Sequence, residues 1–163
     1  MQVGKGDSCP GVCWRDAVGR TRMKTSARNE LAGTIRSVTP GAVNSEVVLD
    51  LGGHDELVAI ITNASADRLS LKPGVAAFAL VKAPWVILGT SDGLRTSARN
   101  HFQGTIDAVH HGAVNDEVTL KLAGGARITA IVTTESVHEL GLRPGLQASA
   151  LIKASHVIIA VAA

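Results

Sequence analysis

The sequence predicts an all-β chain: two tandem five-stranded barrels of the OB-like kind, each carrying one short helix. Three observations predict it. The chain repeats itself, apolar residues alternate with period two over most of each repeat, and turns bearing Gly or Pro close off each run.

The repeat sets the domain organisation. Thr25-Ser26-Ala27-Arg28-Asn29 returns as Thr96-Ser97-Ala98-Arg99-Asn100, a shift of 71 positions. The same shift carries Gly41-Ala42-Val43-Asn44 onto Gly112-Ala113-Val114-Asn115, Leu71-Lys72-Pro73-Gly74 onto Leu142-Arg143-Pro144-Gly145, and Lys82-Ala83 onto Lys153-Ala154. About half the aligned positions are identical from Thr25 to Ser91, without a gap. The domains are therefore read as 23–90 and 96–163, joined by a linker at 91–95. Residues 1–22 lie outside the repeat. Rich in Gly and charge and without periodicity, they read as a disordered leader, with Met23 the candidate native start.

The elements of one repeat follow in order. A first strand begins just after the Ser26–Asn29 segment. In the second, Val47, Leu49 and Leu51 share one face while Asp50 points away; Val118, Leu120 and Leu122 repeat this, with Thr119 and Lys121 outward. Gly52-Gly53 and Gly124-Gly125 supply a hairpin turn into a buried third strand, Leu57–Ile61 in the first copy. A helix is expected from Ala64 to Ser70, because Thr62, Asn63 and Ser65 offer capping groups and Pro73-Gly74 stops it. Val75–Val81 and Val86–Leu88 are the fourth and fifth strands. Five strands with a helix between the third and fourth is the OB-like order. A barrel of about 70 residues is marginal alone. Val58 and Ile60 on one face, with Ala59 and Ile61 on the other, leave apolar surface that calls for a partner.

Composition excludes several functions. Of 163 residues 45% are hydrophobic but only 2% aromatic, with no tyrosine, which disfavours a nucleoside or drug-like ligand that wants stacking surfaces. The net charge is +2, with Lys and Arg scattered among nearly as many acids, which argues against nucleic acid as a partner. No apolar run approaches the roughly 18 residues of a membrane span, and no secretory signal is present. The two cysteines, Cys9 and Cys13, both lie in the leader, which fits a reducing cytoplasm. They lack the further ligands of a metal site. The six histidines (His54, His101, His110, His111, His138 and His156) have no counterpart His in the other copy, so no free metal cation is expected. Nothing pairs a nucleophile with a base, so no enzyme is expected.

Three segments per copy gather polar donors instead. They are Ser26-Ala27-Arg28-Asn29, then Thr62 with Ser65, then Lys82-Ala83; the second copy has Ser97 and Arg99, Thr133 and Ser136, and Lys153-Ala154. Hydroxyls, a guanidinium, an ammonium and backbone amides all favour an anion. The copies have drifted at about half their positions, yet these residues persist. Fold requirements do not readily explain a retained surface Arg and Lys. The Gly41–Asn44 turn is first a strand connection, although turn amides can also form an anion-binding nest.

Thr-Ser-Ala-Arg-Asn, Gly-Ala-Val-Asn and Lys82-Ala83-Pro84-Trp85-Val86 resemble the molbindin family, whose Mop domain is a branch of the transport-associated (TOBE) OB barrels. The resemblance covers Met23 to Ala163 and is similar to the di-domain molbindins. It implies a cytoplasmic, non-catalytic homotrimer that stores molybdate or tungstate at subunit interfaces, with no organic cofactor. It implies that Ser26, Arg28 and Lys82 contact one oxyanion, joined by Thr62, Ser65 and Ala83 from the same or an adjoining domain. Ser97, Arg99, Thr133, Ser136, Lys153 and Ala154 match in the second copy. A second type of site near the threefold axis would involve Val43, Asn44, Val114 and Asn115. The pattern departs at Pro84-Trp85, which becomes Ser155-His156 and changes the local wall. The alternative is the sensory half of a molybdate-responsive regulator. Residues 1–22 cannot fold into a DNA-binding domain, so that role would need a separate DNA-binding partner.

Overall fold

The computed structural model describes residues 25–90 and 95–162; the leader, with Cys9 and Cys13, and most of the linker lie outside them. In the first repeat, β1 (Asn29–Pro40), β2 (Asn44–Gly52) and β3 (Asp55–Thr62) form a meander. Then come α1 (Asn63–Arg68), β4 (Ala76–Val81), a 3-10 turn (Ala83–Trp85) and β5 (Ile87–Gly89). The second repeat supplies β6 (Asn100–His110), β7 (Asn115–Leu122), β8 (Arg127–Thr133) and α2 (Thr134–Glu139). It ends with β9 (Gln147–Ile152), a 3-10 turn (Ala154–His156) and β10 (Ile158–Ala160). The fold is mainly β, as the alternation predicts.

Each repeat curls for a local reason. The pairing of β1 with β2 slips between Ile35 and Ser37, and that of β6 with β7 between Ile106 and Ala108. Such bulges bend a strand sharply. β1 can therefore pair along Thr34–Pro40 with β2 and along Asn29–Thr34 with β4. Gly33 sits at the bend, where a Cβ would collide with the carbonyl oxygen of Asp50; Gly104 meets Lys121 in the same way.

The fifth strands are exchanged. The sheet orders are β10-β4-β1-β2-β3 and β5-β9-β6-β7-β8. β10 pairs Ile158 with Leu80 and Ile159 with Ala79, while β5 pairs Ile87 with Leu151 and Leu88 with Ala150. Sequence repeat and sheet therefore part company at the last strand of each copy. One continuous core results, running from Ile35, Leu49 and Leu57 through to their counterparts Ile106, Leu120 and Ile128, all essentially buried.

Local expectations are met with small shifts. The first helix runs from Asn63 to Arg68 rather than Ala64 to Ser70, because Thr62 is the N-cap whose side chain accepts the Ser65 amide and Ser70 turns to a positive φ of 50°; Thr133 caps the second helix in the same way through Ser136. Val86 closes the 3-10 turn, so the fifth strand starts at Ile87.

The two repeats are locked by a reciprocal side-chain contact. Asn29 is 2% exposed; its Nδ2 donates to the Thr129 carbonyl at 2.8 Å and its Oδ1 accepts the Thr129 amide at 2.6 Å. Asn100, 1% exposed, treats Val58 identically at 2.8 and 2.6 Å. β3 and β8 are the edge strands of their sheets. Each carboxamide therefore supplies the donor and acceptor that a further strand would have offered. Around it, Arg28 pairs with Glu117 at 2.9 Å and Arg99 with Glu46 at 2.7 Å. Counterparts also meet directly: a side chain at Gly53 would run into Gly124, and the Trp85 and His156 rings lie 5.2 Å apart. These contacts define an approximate twofold relation between the copies.

Asn29→Ala strips partners from the half-buried Thr129 amide and carbonyl and removes the bond to the buried Val81 carbonyl, so it should lower stability by about 3 kcal/mol, whereas exposed Arg28→Ala should cost under about 1 kcal/mol. Urea unfolding of both variants measures this; an unmoved midpoint for Asn29→Ala would show the clamp to be dispensable.

Candidate functional site

The three polar segments are built by ordinary local chemistry. Thr25 and Thr96 accept the amides of Ala27 and Ala98 at 3.2 and 3.3 Å, bending the chain just before β1 and β6. This leaves Ser26 and Ser97 exposed at the bend. Thr62 donates to the Ser65 hydroxyl at 2.8 Å, which frees the Ser65 hydrogen to donate elsewhere. Lys82 and Lys153 are exposed at the start of the 3-10 turns, followed by the buried Ala83 and Ala154.

Because the last strands are exchanged, the cavities beside these segments draw on both repeats. One, of about 410 Å³, is lined by Thr96, Ser97, Lys153 and His156 of the second repeat and by Pro84 and Trp85 of the first. Another, of about 400 Å³, brings Asn44, Thr62, Ser65 and Arg68 of the first repeat against Ser155 and Ile158 of the second. Both linings hold hydroxyls and cationic side chains, and neither holds a carboxylate. That balance suits an anion.

The predicted residues are thus divided. Ser97 and Lys153 share one cavity, while Thr62 and Ser65 share the other with Asn44. Arg28 and Arg99 line neither, being engaged with Glu117 and Glu46. The turn residues Val43 and Val114 are 69% and 72% exposed, and their carbonyls accept the first helical amides, those of Asn63 and Thr134, at 3.0 Å.

Several participants escaped the sequence reading. Asn29 and Asn100 belong to the Ser-Ala-Arg-Asn motif but serve the clamp. Arg68 lines a cavity without a counterpart Arg in the second copy. His156, read as an ordinary surface residue, packs against Trp85 with the rings tilted by 41° and lines a cavity. His111 pairs with Asp116 at 2.8 Å, although no cluster of three metal-ligating side chains forms among the described residues.

Asp116 marks a difference between the turns. It is fully buried, replacing Ser45, whose hydroxyl donates to Asn63 at 2.7 Å. Asp116 instead accepts from the Gly112 amide at 3.1 Å and the Thr134 hydroxyl at 2.9 Å, besides His111. Burial raises its pKa, but the hydrogen bonds from Gly112, His111 and Thr134, with the His111 charge, outweigh this and leave the carboxyl below its usual range.

The TOBE domain model matches residues 25–88 and again 96–159. The chain belongs to the TOBE-domain family. Its tandem TOBE repeats are 48% identical over 140 residues to the molybdenum-pterin-binding protein MopA of Rhodobacter capsulatus, covering 85% of this chain and 53% of MopA. They are 46% identical over 139 residues to the molybdenum transport protein ModE of Azotobacter vinelandii, covering 85% and 52%. The chain thus spans about half the length of these curated relatives. A solved structure of the cytoplasmic molybdate-binding protein ModG, with molybdate bound, is 54% identical with a TM-score of 0.83, covering 86% of this chain and 100% of that one. No described helix of the TOBE pair is long and apolar enough to cross a membrane.

The lowered Asp116 pKa has a stability consequence. The carboxylate's contribution is present above its unfolded pKa and lost as pH falls through the lower folded value, so stability should drop below about pH 4. Urea midpoints between about pH 5 and pH 2 should fall more steeply for the wild type than for Asp116→Asn. Parallel curves would remove Asp116 from the acid response.

Proposed function

We propose that this TOBE pair binds molybdate or tungstate in the cytoplasm, without catalysis and without an organic cofactor. The observation that carries this is the pair of cavities shared between the repeats, lined by hydroxyls and cations and free of carboxylates. Hydroxyls and ammonium or guanidinium groups can replace the hydration of a tetrahedral dianion, and a site sized for molybdate holds the smaller sulfate less well. The molybdate-bound ModG relative and the name of MopA support the choice of anion.

The proposed ligands are Ser97, Lys153 and the Ala154 amide in one cavity, with Thr62 and Ser65 in the other. By the repeat, Ser26, Lys82 and Ala83, and Thr133 with Ser136, serve equivalent positions. Arg28 and Arg99 join them by leaving their glutamates. Both ion pairs are solvent-exposed and worth under about 1 kcal/mol, so a dianion can compete for the guanidinium. The Val43-Asn44 and Val114-Asn115 turns would form the second type of site. Exposed Val43, Val114, Ile87 and Ile158 repeat their positions in both copies and would be covered in a homotrimer.

Storage is the role proposed, by analogy with the molybdate-binding ModG and MopA relatives. The sensing alternative keeps support from relatives named as DNA-binding regulators, and a DNA-binding protein recovered with this chain in a pull-down would favour it. Calorimetric titration should show strong heats for molybdate and tungstate and weak ones for sulfate; equal weak heats for all three would overturn the reading. Lys153→Gln should weaken molybdate binding about tenfold, as expected for losing one charge-assisted contact of about 1.4 kcal/mol. Light scattering should give about three times the 16.8 kDa chain mass.

A further inference from the structure

The twofold relation between the repeats holds for the backbone but fails for charge around the Thr-Ser pairs. At the end of α1, Arg68 lines the cavity shared by Thr62, Ser65 and Ser155, and it has no carboxylate partner among the described residues. At the same place in α2 stands Glu139. Ala64 beside the first cap becomes Glu135 beside the second. Ser45 behind the first helix becomes the buried Asp116, whose carboxylate holds the Thr134 hydroxyl. The donor Ser155 is matched by Pro84, which has no side-chain donor. Only at Asp67, replaced by His138, does the exchange run the other way.

The geometry points to two unequal oxyanion sites, with Arg68 a direct ligand of the tighter one and Glu135 and Glu139 weakening its counterpart at Thr133–Ser136. This rests on the oxyanion-binding reading above and deepens it. A guanidinium at a cavity mouth attracts a dianion, and a carboxylate in the same place repels it with similar strength. Both side chains are exposed, so salt weakens both effects. The capping Thr and Ser donors are the same in the two sites; what separates them is the charge beside them and the loss of the Ser155 hydroxyl at Pro84. A chain built in this way retains its first ions at low free concentration and takes up further ones only when the anion is abundant.

Calorimetric titration of the full chain with sodium molybdate at low salt tests this. The wild type should show two classes of sites, the gap narrowing as salt is raised. Ser65→Ala should abolish the tighter class and Ser136→Ala the weaker, which assigns each class to its place. Arg68→Glu should weaken the tighter class at least tenfold and leave the other alone; Glu139→Arg should strengthen the weaker class about tenfold. All four variants are checked by thermal melting, and the two charge reversals alter exposed side chains. Molybdate binding that neither charge reversal changes would overturn the inequality and leave the parent reading standing. A wild type that binds no molybdate would overturn the parent reading itself.

Discussion

The two-copy structure depends on a carboxamide facing an edge strand. An exposed strand edge carries unpaired amides and carbonyls and invites pairing with another chain. β3 and β8 each end a sheet, and each has one outward amide–carbonyl pair, at Val58 and Thr129, taken by the Asn of the other repeat. A carboxamide returns a donor and an acceptor in that spacing while staying neutral, and on the short Asn side chain it stays close to its own strand. Aspartate would bury a charge and offer no donor. The clamp also holds the start of β1 and β6 in place, and with it the bend that presents Ser26 and Ser97.

Everything near the candidate sites follows from that docking. With β3 and β8 held against the opposite repeat, the segment after each 3-10 turn crosses over and completes the neighbouring sheet. The Lys153-bearing end of β9 then lies beside Pro84 and Trp85 of the other repeat, in the cavity they share. Trp85 meets His156 where an identical repeat would have placed like against like. The divergence of this pair is tolerated because the contact lies on the axis, where each residue needs only its own opposite number.

Much of the fold was legible because local patterns have local causes. Val47, Leu49 and Leu51 announce a half-buried strand, and Thr62 with Ser65 announces a cap; both stand almost where expected. The exchange was not legible. Ile87–Gly89 and Ile158–Ala160 are fifth strands of equal length, apolar character and burial pattern, and a duplicated chain offers each of them two similar sheets. The same degeneracy hides the ion pairs, since Arg28 has equivalent glutamates at positions 46 and 117 and the sequence prefers neither. Asn29 misled for another reason. Set among Ser, Ala and Arg, it reads as one more surface donor, and the backbone it clamps lies 100 positions away. Arg68 was missed because a repeat-based search rewards what the copies share, and its importance lies in what they do not.

The exchanged fifth strands bear on how such a chain could have arisen. Two separate single-repeat molecules that traded their last strands would make these same ladders, clamps and ring contacts as a domain-swapped dimer. The short linker changes none of those contacts. It replaces an encounter between molecules by an intramolecular one at high effective concentration. Once tethered, the halves no longer needed to be identical, and each was free to specialise while its neighbour kept the fold.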